Sequence, residues 1–165
     1  MGIYTMAESK NLPPPAIMIN LGTEDLEKSI KFYTALGFVQ NKNWPYDQIV
    51  AFRFPEPNNN LGLVIAHKER LADFLRPGTQ VINAKTSTEV ILTLLLKNKE
   101  EVDRVTELAA ANGGAADPFH EENNGAHFSI YIRSFADPDG HMWEVNADID
   151  GAIAWDGHYP QGRKF

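Results

Sequence analysis

The chain has 165 residues, enough for one domain or for two small similar halves that share a core. It contains no cysteine, which excludes disulfides, thiolate metal sites and cysteine nucleophiles. Its 15 basic and 22 acidic residues give a net charge of −7, which argues against nucleic acid or an anionic membrane as a partner. No apolar run is long enough to span a membrane and no secretory signal is visible, so we expect a soluble cytoplasmic protein.

The first half of the chain predicts a strand, a helix and three further strands. A polar leader at 1–15 ends in three prolines, and the short apolar run that follows it, up to Leu21, fits a buried strand. Helical spacing of apolar residues predicts a helix over 24–37, with Thr23 as its N-cap and Gly37 at its end. The three predicted strands cover 38–42, 48–54 and 61–67.

The second half repeats this order. A strand is predicted at 89–96, a helix at 100–112, a short segment near Ala115, and strands at 127–135 and 141–145. Residues 68–76 lie outside the repeat and predict an additional helix. The pattern indicates one structural domain built from two βαβββ modules. It divides into a leader (1–15), a first module (16–67), a connector (68–87), a second module (88–147) and an aromatic tail (148–165).

Three stretches resemble one known superfamily. INLGTEDLEKSIKFYTALGF (19–38) and STEVILTLLLKNKEEVDRVTELAAANGG (87–114) resemble the openings of its two modules, and RSFADPDGHMWEV (133–145) resembles its closing hairpin. The chain is therefore similar, over about residues 16–147, to the vicinal oxygen chelate superfamily. This superfamily includes glyoxalase I, bleomycin-resistance proteins and extradiol dioxygenases.

The resemblance implies an α+β fold in which two βαβββ modules form curled sheets around a cavity. Metal-dependent members place one metal ligand on the first and one on the last strand of each module, usually histidines and a final glutamate. Their metal acts as a Lewis acid on vicinal oxygens of the substrate.

When the family pattern is carried over to this sequence, one of the four metal-ligand positions holds the expected residue. Glu144 falls on the final glutamate. The other three ligand positions hold apolar residues, each with a more polar neighbour two residues along that is expected to share its face: Met18 with Asn20, Ile65 with His67, and Ile91 with Thr93. We therefore expect no cofactor; if a divalent metal binds, Glu144 and His67 are its candidate ligands.

Several residues keep two interpretations. Glu144 is either a cavity carboxylate, serving as cation partner, base or metal ligand, or a structural glutamate. Arg133 either anchors an anionic ligand group or a neighbouring subunit, or forms a cross-strand salt bridge. The turn 137–140 is interpreted as folding chemistry and His141 as a surface turn residue.

The first functional hypothesis is a metal-free homodimer that binds a small organic molecule in the inter-module cavity. Its candidate ligand-binding residues are Met18, Asn20, Ile65, His67, Ile91, Thr93 and Arg133. The alternative is a lyase, isomerase or dioxygenase of the vicinal oxygen chelate type that uses Glu144 as a base or metal ligand. Glyoxalase I activity itself is not expected, because three ligand positions are apolar.

Overall fold

The computed structural model of the protein describes residues 14–149, which form two modules with the same order of elements. In the first module, the mixed four-stranded sheet has the strand order β1-β4-β3-β2, and in the second the order is β5-β8-β7-β6. The first module contains β1 Ile17–Thr23, α1 Leu26–Ala35, β2 Val39–Gln40, β3 Ile49–Arg53 and β4 Leu61–His67. After α2 Lys68–Ala72, the second contains β5 Ile91–Leu96, α3 Lys99–Ala111, β6 Ala115–Ala116, β7 Ile130–Ala136 and β8 Met142–Asp148. The predicted fold is confirmed.

The two module helices begin and end in the same way. Asp25 caps α1 by accepting a hydrogen bond from the backbone N–H of Lys28, and Asn98 caps α3 in the same manner. The helices are followed by Gly37 and Gly113, whose φ values of 93° and 94° favour glycine at the stop. The prediction of Thr23 as the N-cap was wrong, because the helix begins at Leu26 and Asp25 caps it. The Thr23 hydroxyl bonds instead to Ser29 and to Asp139 of the second module.

Several predicted elements differ in their bounds from those observed: the strand expected at 38–42 spans only Val39–Gln40, and the last strand extends to Asp148. The additional helix ends at Ala72 instead of reaching residue 76. The strand expected from residue 127 begins at Ile130, because Glu122–Phe128 forms 3-10 turns with a left-handed kink inside. The kink includes Gly125, with φ at +75°, where an added Cβ would lie 2.6 Å from Cδ1 of Ile132. This segment therefore packs closely on β7.

One aromatic core joins both modules. Trp143 of β8 is fully buried and stacks on Phe135, with ring centroids 5.6 Å apart and 10° between the planes. It also contacts Tyr33, Phe38 and Phe54 of the first module, with centroids 5.8 to 5.9 Å away. Burying such large rings provides most of the attraction between the modules.

Hydrogen bonds between the two modules fix their relative orientation. The carboxylate of Asp139 accepts hydrogen bonds from the Thr23 hydroxyl at 2.6 Å and from the backbone N–H of Glu24 at 2.9 Å. At another point, the side-chain amide of Asn58 donates to the carbonyl of Leu95 at 2.8 Å. The modules are thus held at a defined angle by directional bonds as well as by packing.

Each sheet has one face covered by helices and one that points away from them, here called the distal face. None of the helices between residues 14 and 149 has the length and hydrophobicity that a bilayer crossing requires. The predicted leader at 1–15 lies outside the described residues up to 13, and the predicted aromatic tail lies outside them from 150 onward.

Candidate functional site

The register of β5, β8 and β7 assigns Glu144 to the distal face of the second sheet. Glu144 is paired with Thr93 on one side and Ser134 on the other, and side chains paired in this way share a face. Its sequence neighbours Trp143 and Val145 point the other way, into the core. Glu144 is only partly buried, and Thr93 is exposed. A carboxylate and a hydroxyl therefore stand next to each other on a surface that the core does not use.

Asn146 extends this polar strip along β8. Its side-chain amide donates to Oε1 of Glu144 at 3.2 Å, which orients the carboxylate. Its amide oxygen is buried and has no hydrogen-bond partner among residues 14–149. Exchanging the amide nitrogen and oxygen would place two acceptors against each other, so the orientation is well determined. The accessible acceptor of the strip is therefore the carboxylate of Glu144, while the Asn146 oxygen lies beneath the surface.

A loop borders the strip on the side of β7. The hydroxyl of Ser134 is hydrogen-bonded to both the backbone N–H and the carbonyl of Phe119, which holds the loop over β7. The segment around Gly125 covers Ile132 on the same face. Glu144 is thus accessible from the side of β5, where Ile91 and Thr93 are exposed.

In the first sheet, the candidate residues are divided between two faces. Met18 and Asn20 lie on the distal face and are exposed. Ile65 pairs with Leu21 and is fully buried in the shared core, and His67 follows the same alternation. Each expected pair shares a face, but the two pairs lie on opposite faces of the sheet, so the four residues do not line one cavity together. Ile65 is accordingly a core residue.

Arg133 lies on the helix-covered face of the second sheet, since it pairs with Val145 and not with Glu144. Its guanidinium forms salt bridges to Asp117 at 2.7 Å and to Asp103 at 3.0 Å. The hydrogen bonds to Asp117 are the main reason that the pKa of Arg133 is raised above its usual value. With two carboxylates bound, Arg133 joins α3 and the loop after β6 to β7, and it faces away from Glu144.

The contacts of Asp137 are not evident from the sequence. This carboxylate is only 4% exposed and accepts hydrogen bonds from the Tyr33 hydroxyl at 2.6 Å and from the backbone N–H of Asp139 and of His141. It also lies 2.8 Å from Nδ1 of His141. In the sequence, Asp137 is visible only as part of the turn at 137–140, where an acidic residue is typical of turn formation.

A groove of about 310 Å³ runs between the edge of β1 and the start of β8. The connector forms one of its walls, which was not anticipated. Its lining includes Asn20, Leu71, Ile82, Val90, Leu92 and His141. The groove is mainly apolar, with a few polar groups at defined positions.

A family model described as the Glyoxalase/Bleomycin resistance protein/Dioxygenase superfamily matches residues 17–145. The chain belongs to this superfamily. The match spans both modules and includes Glu144 at its end. The predicted relationship is confirmed.

Several solved structures are similar in fold to most of this chain. A hypothetical protein from S. aureus is 26% identical with a TM-score of 0.63, covering 84% of this chain and 98% of that one. A glyoxalase-related enzyme from Fulvimarina pelagi is 22% identical with a TM-score of 0.61, covering 90% and 98%. A lactoylglutathione lyase from Agrobacterium tumefaciens is 20% identical with a TM-score of 0.55, covering 86% and 100%. No curated protein matches the sequence significantly.

The described side chains do not form the metal site that the metal-dependent superfamily members have. Among the side chains that the structure describes, no three His, Asp or Glu groups lie close enough together to hold a metal ion. The candidate pair is also separated, because His67 lies on the helix-covered face of the first sheet and Glu144 on the distal face of the second. Transition metals generally need three or four such donors.

Proposed function

We propose that this superfamily member binds a small organic molecule on the distal face of the second sheet, at Glu144, without a protein-bound metal. The observation that carries the proposal is the oriented pair of Glu144 and Asn146. It presents an oriented carboxylate on the distal face, to which a cationic or N–H-bearing ligand group can donate. The net charge of −7 favours the approach of a cation.

The same proposal includes a homodimer. Exposed apolar side chains lie at the edges of both sheets, on Ile17 and Met18 of β1 and on Val90 and Ile91 before and within β5. A second copy placed against these edges would cover them and would enclose the polar strip from the side of Thr93. Sedimentation or light scattering of the purified protein tests this part separately.

An enzymatic role is the second candidate. A partly buried carboxylate that an amide group orients is suited to abstract a proton from a bound substrate. The similarity in fold to a lactoylglutathione lyase makes a lyase or isomerase the class to assay. Here Glu144 would be the base, with Asn146 positioning it.

Thermal-shift measurements with Glu144→Gln separate these proposals. Wild-type protein, free of any histidine tag, is titrated with Mn²⁺, Ni²⁺ and Zn²⁺ and with the cationic aromatic compounds ethidium and berberine. We expect the compounds to raise the melting temperature and Glu144→Gln to abolish that shift. Glu107→Gln, a matched change on the exposed side of α3, is expected to retain it.

Other outcomes would contradict the proposal. Stoichiometric stabilisation by one metal that Glu144→Gln removes would show a metal site after all. A shift by the compounds that survives in Glu144→Gln would place their site elsewhere. If Glu144→Gln retains affinity for a substrate but loses turnover, the enzymatic role is the correct one.

A further inference from the structure

A second pair of polar side chains borders a groove and lies away from Glu144. It consists of His141 and the buried carboxylate of Asp137 at the margin of the groove between β1, the connector and β8. Two sets of contacts define it: those that fix the imidazole and those that shape the groove.

The imidazole of His141 is fixed in one tautomer. Oδ2 of Asp137 lies 2.8 Å from Nδ1 of His141 and 2.6 Å from the hydroxyl of Tyr33, and a carboxylate oxygen can only accept in both bonds. The proton of the neutral ring is therefore on Nδ1. Nε2 is left as a hydrogen-bond acceptor, in the arrangement by which a carboxylate orients a functional histidine.

This orientation is held firmly. Burial, followed by the charge of Asp137 and the hydrogen bond to it, raises the pKa of Tyr33 well above its usual value, so the hydroxyl remains a donor. The backbone N–H groups of Asp139 and His141 satisfy the other oxygen of Asp137, at 3.0 and 2.9 Å. Because four donors surround Asp137, the ring is positioned before any ligand binds.

The groove around His141 has apolar walls and few charges. The apolar walls are formed by Leu71 of α2, Ile82 of the connector, Val90 just before β5 and Leu92 of β5. Glu89 is the acidic residue of the groove. No lysine or arginine among residues 14–149 lines it. A volume of about 310 Å³ is at the lower end of the range for small-molecule sites. An anionic ligand would meet Glu89 without a compensating cation.

We propose that this groove binds a neutral, apolar molecule with one hydroxyl group, of the phenol class, and that the hydroxyl donates to Nε2 of His141. The apolar body lies against the connector. Asn20 lines the same groove from β1 and supplies a second polar group. This site is separate from the one proposed at Glu144, so either can fail without the other.

Calorimetric titration with 2-naphthol tests the proposal, with 2-methoxynaphthalene as the probe that lacks the donor. At pH 8 we expect 2-naphthol to bind about fivefold tighter or more, the size of one hydrogen bond. His141→Phe should make the two affinities equal. Glu107→Gln should change neither, because Glu107 is exposed on α3 and does not line the groove.

Since His141→Phe also removes a contact to Asp137, a second variant keeps the test independent of stability. Ile82→Trp fills the groove from its exposed wall and should reduce the affinity for 2-naphthol at least tenfold. Val39→Trp is the matched control, because Val39 and Ile82 are both 52% exposed and Val39 lies outside the groove. Equal affinity of the two probes for the wild type, or unchanged binding in Ile82→Trp, would overturn the proposal.

Discussion

The hydroxyl of Tyr33 in the first module donates a hydrogen bond to the buried carboxylate of Asp137 in the second, with the two oxygens 2.6 Å apart. Tyr33 lies on α1 and Asp137 in the turn between β7 and β8, so the bond links the helix of one module to the closing hairpin of the other. The same carboxylate orients His141. One interaction therefore serves both module packing and the geometry of the groove.

The first prediction concerns this bond. Tyr33→Phe removes the hydroxyl but keeps the ring, and leaves a buried carboxylate short of one donor. We expect the free energy of unfolding to fall by about 1.5 to 3 kcal/mol, measured by urea titration. Tyr46→Phe, at an exposed position, is the control and should leave it within about 0.5 kcal/mol. A loss equal to that of the control would show that Tyr33 contributes through its ring alone.

The second prediction concerns the bond between Thr23 and Asp139. Thr23 is 0% exposed, and its hydroxyl lies 2.6 Å from Oδ2 of Asp139 and 2.7 Å from the hydroxyl of Ser29. Thr23→Val keeps the shape and leaves these partners unsatisfied, which should destabilise the protein by about 1 to 3 kcal/mol. Thr93→Val makes the same change at an exposed strand position. An equal effect of both changes on the urea midpoint would argue against a role of the bond in joining the modules.

The third prediction is a pH dependence at Arg133. Hydrogen bonds from Arg133 are the main cause of the lowered pKa of Asp117. Partial burial opposes charge on Asp103, but hydrogen bonds from Tyr131 and Arg133 outweigh it, so this pKa is lowered too. Because both folded-state values lie below the unfolded value of about 3.9, the resulting stability is present above that pH and is lost as the pH falls below it.

Arg133→Met should therefore reduce stability at pH 7 and make it less sensitive to acid. Urea titrations at pH 7 and pH 3 measure the difference for the wild type and for the variant. We expect the difference to shrink in Arg133→Met and to persist in Arg104→Met, whose ion pair with Glu101 is on the surface. An unchanged difference in Arg133→Met would assign the acid sensitivity to other carboxylates.

The fourth prediction separates backbone strain from steric contact at Gly125. Gly125 and Gly78 have similar left-handed φ values, +75° and +82°. An added Cβ at Gly125 meets Ile132 at 2.6 Å and the carbonyl of Ile130 at 3.0 Å, whereas at Gly78 nothing lies within 4 Å. Gly125→Ala should thus cost about 1 to 3 kcal/mol more than Gly78→Ala in urea unfolding. Equal costs would mean that the segment over β7 moves freely.

The sequence alone was sufficient for the repeated order of elements. Apolar residues recur with helical spacing before Gly37 and Gly113, and alternate or run together in the strands, because these local patterns reflect which side of each element is buried. The closing hairpin carried enough specific residues to identify the superfamily. Glu144 was also assigned to a strand next to core residues, and its place between Trp143 and Val145 follows directly from alternation.

Tertiary structure decided which residues lie together. Whether Ile65 shares a face with Asn20 depends on the register of β1 against β4, which a count along the chain specifies only to within a residue, and one residue reverses the face. Asp117 and Asp103 lie 16 and 30 positions from Arg133, and Tyr33 lies 104 positions from Asp137. No local pattern encodes such pairings. The sequence by itself determined a duplicated module with one acidic residue retained at its end. Only the folded chain brought Tyr33 to Asp137 and His141 to the groove, because these contacts arise from the packing of both modules on one core.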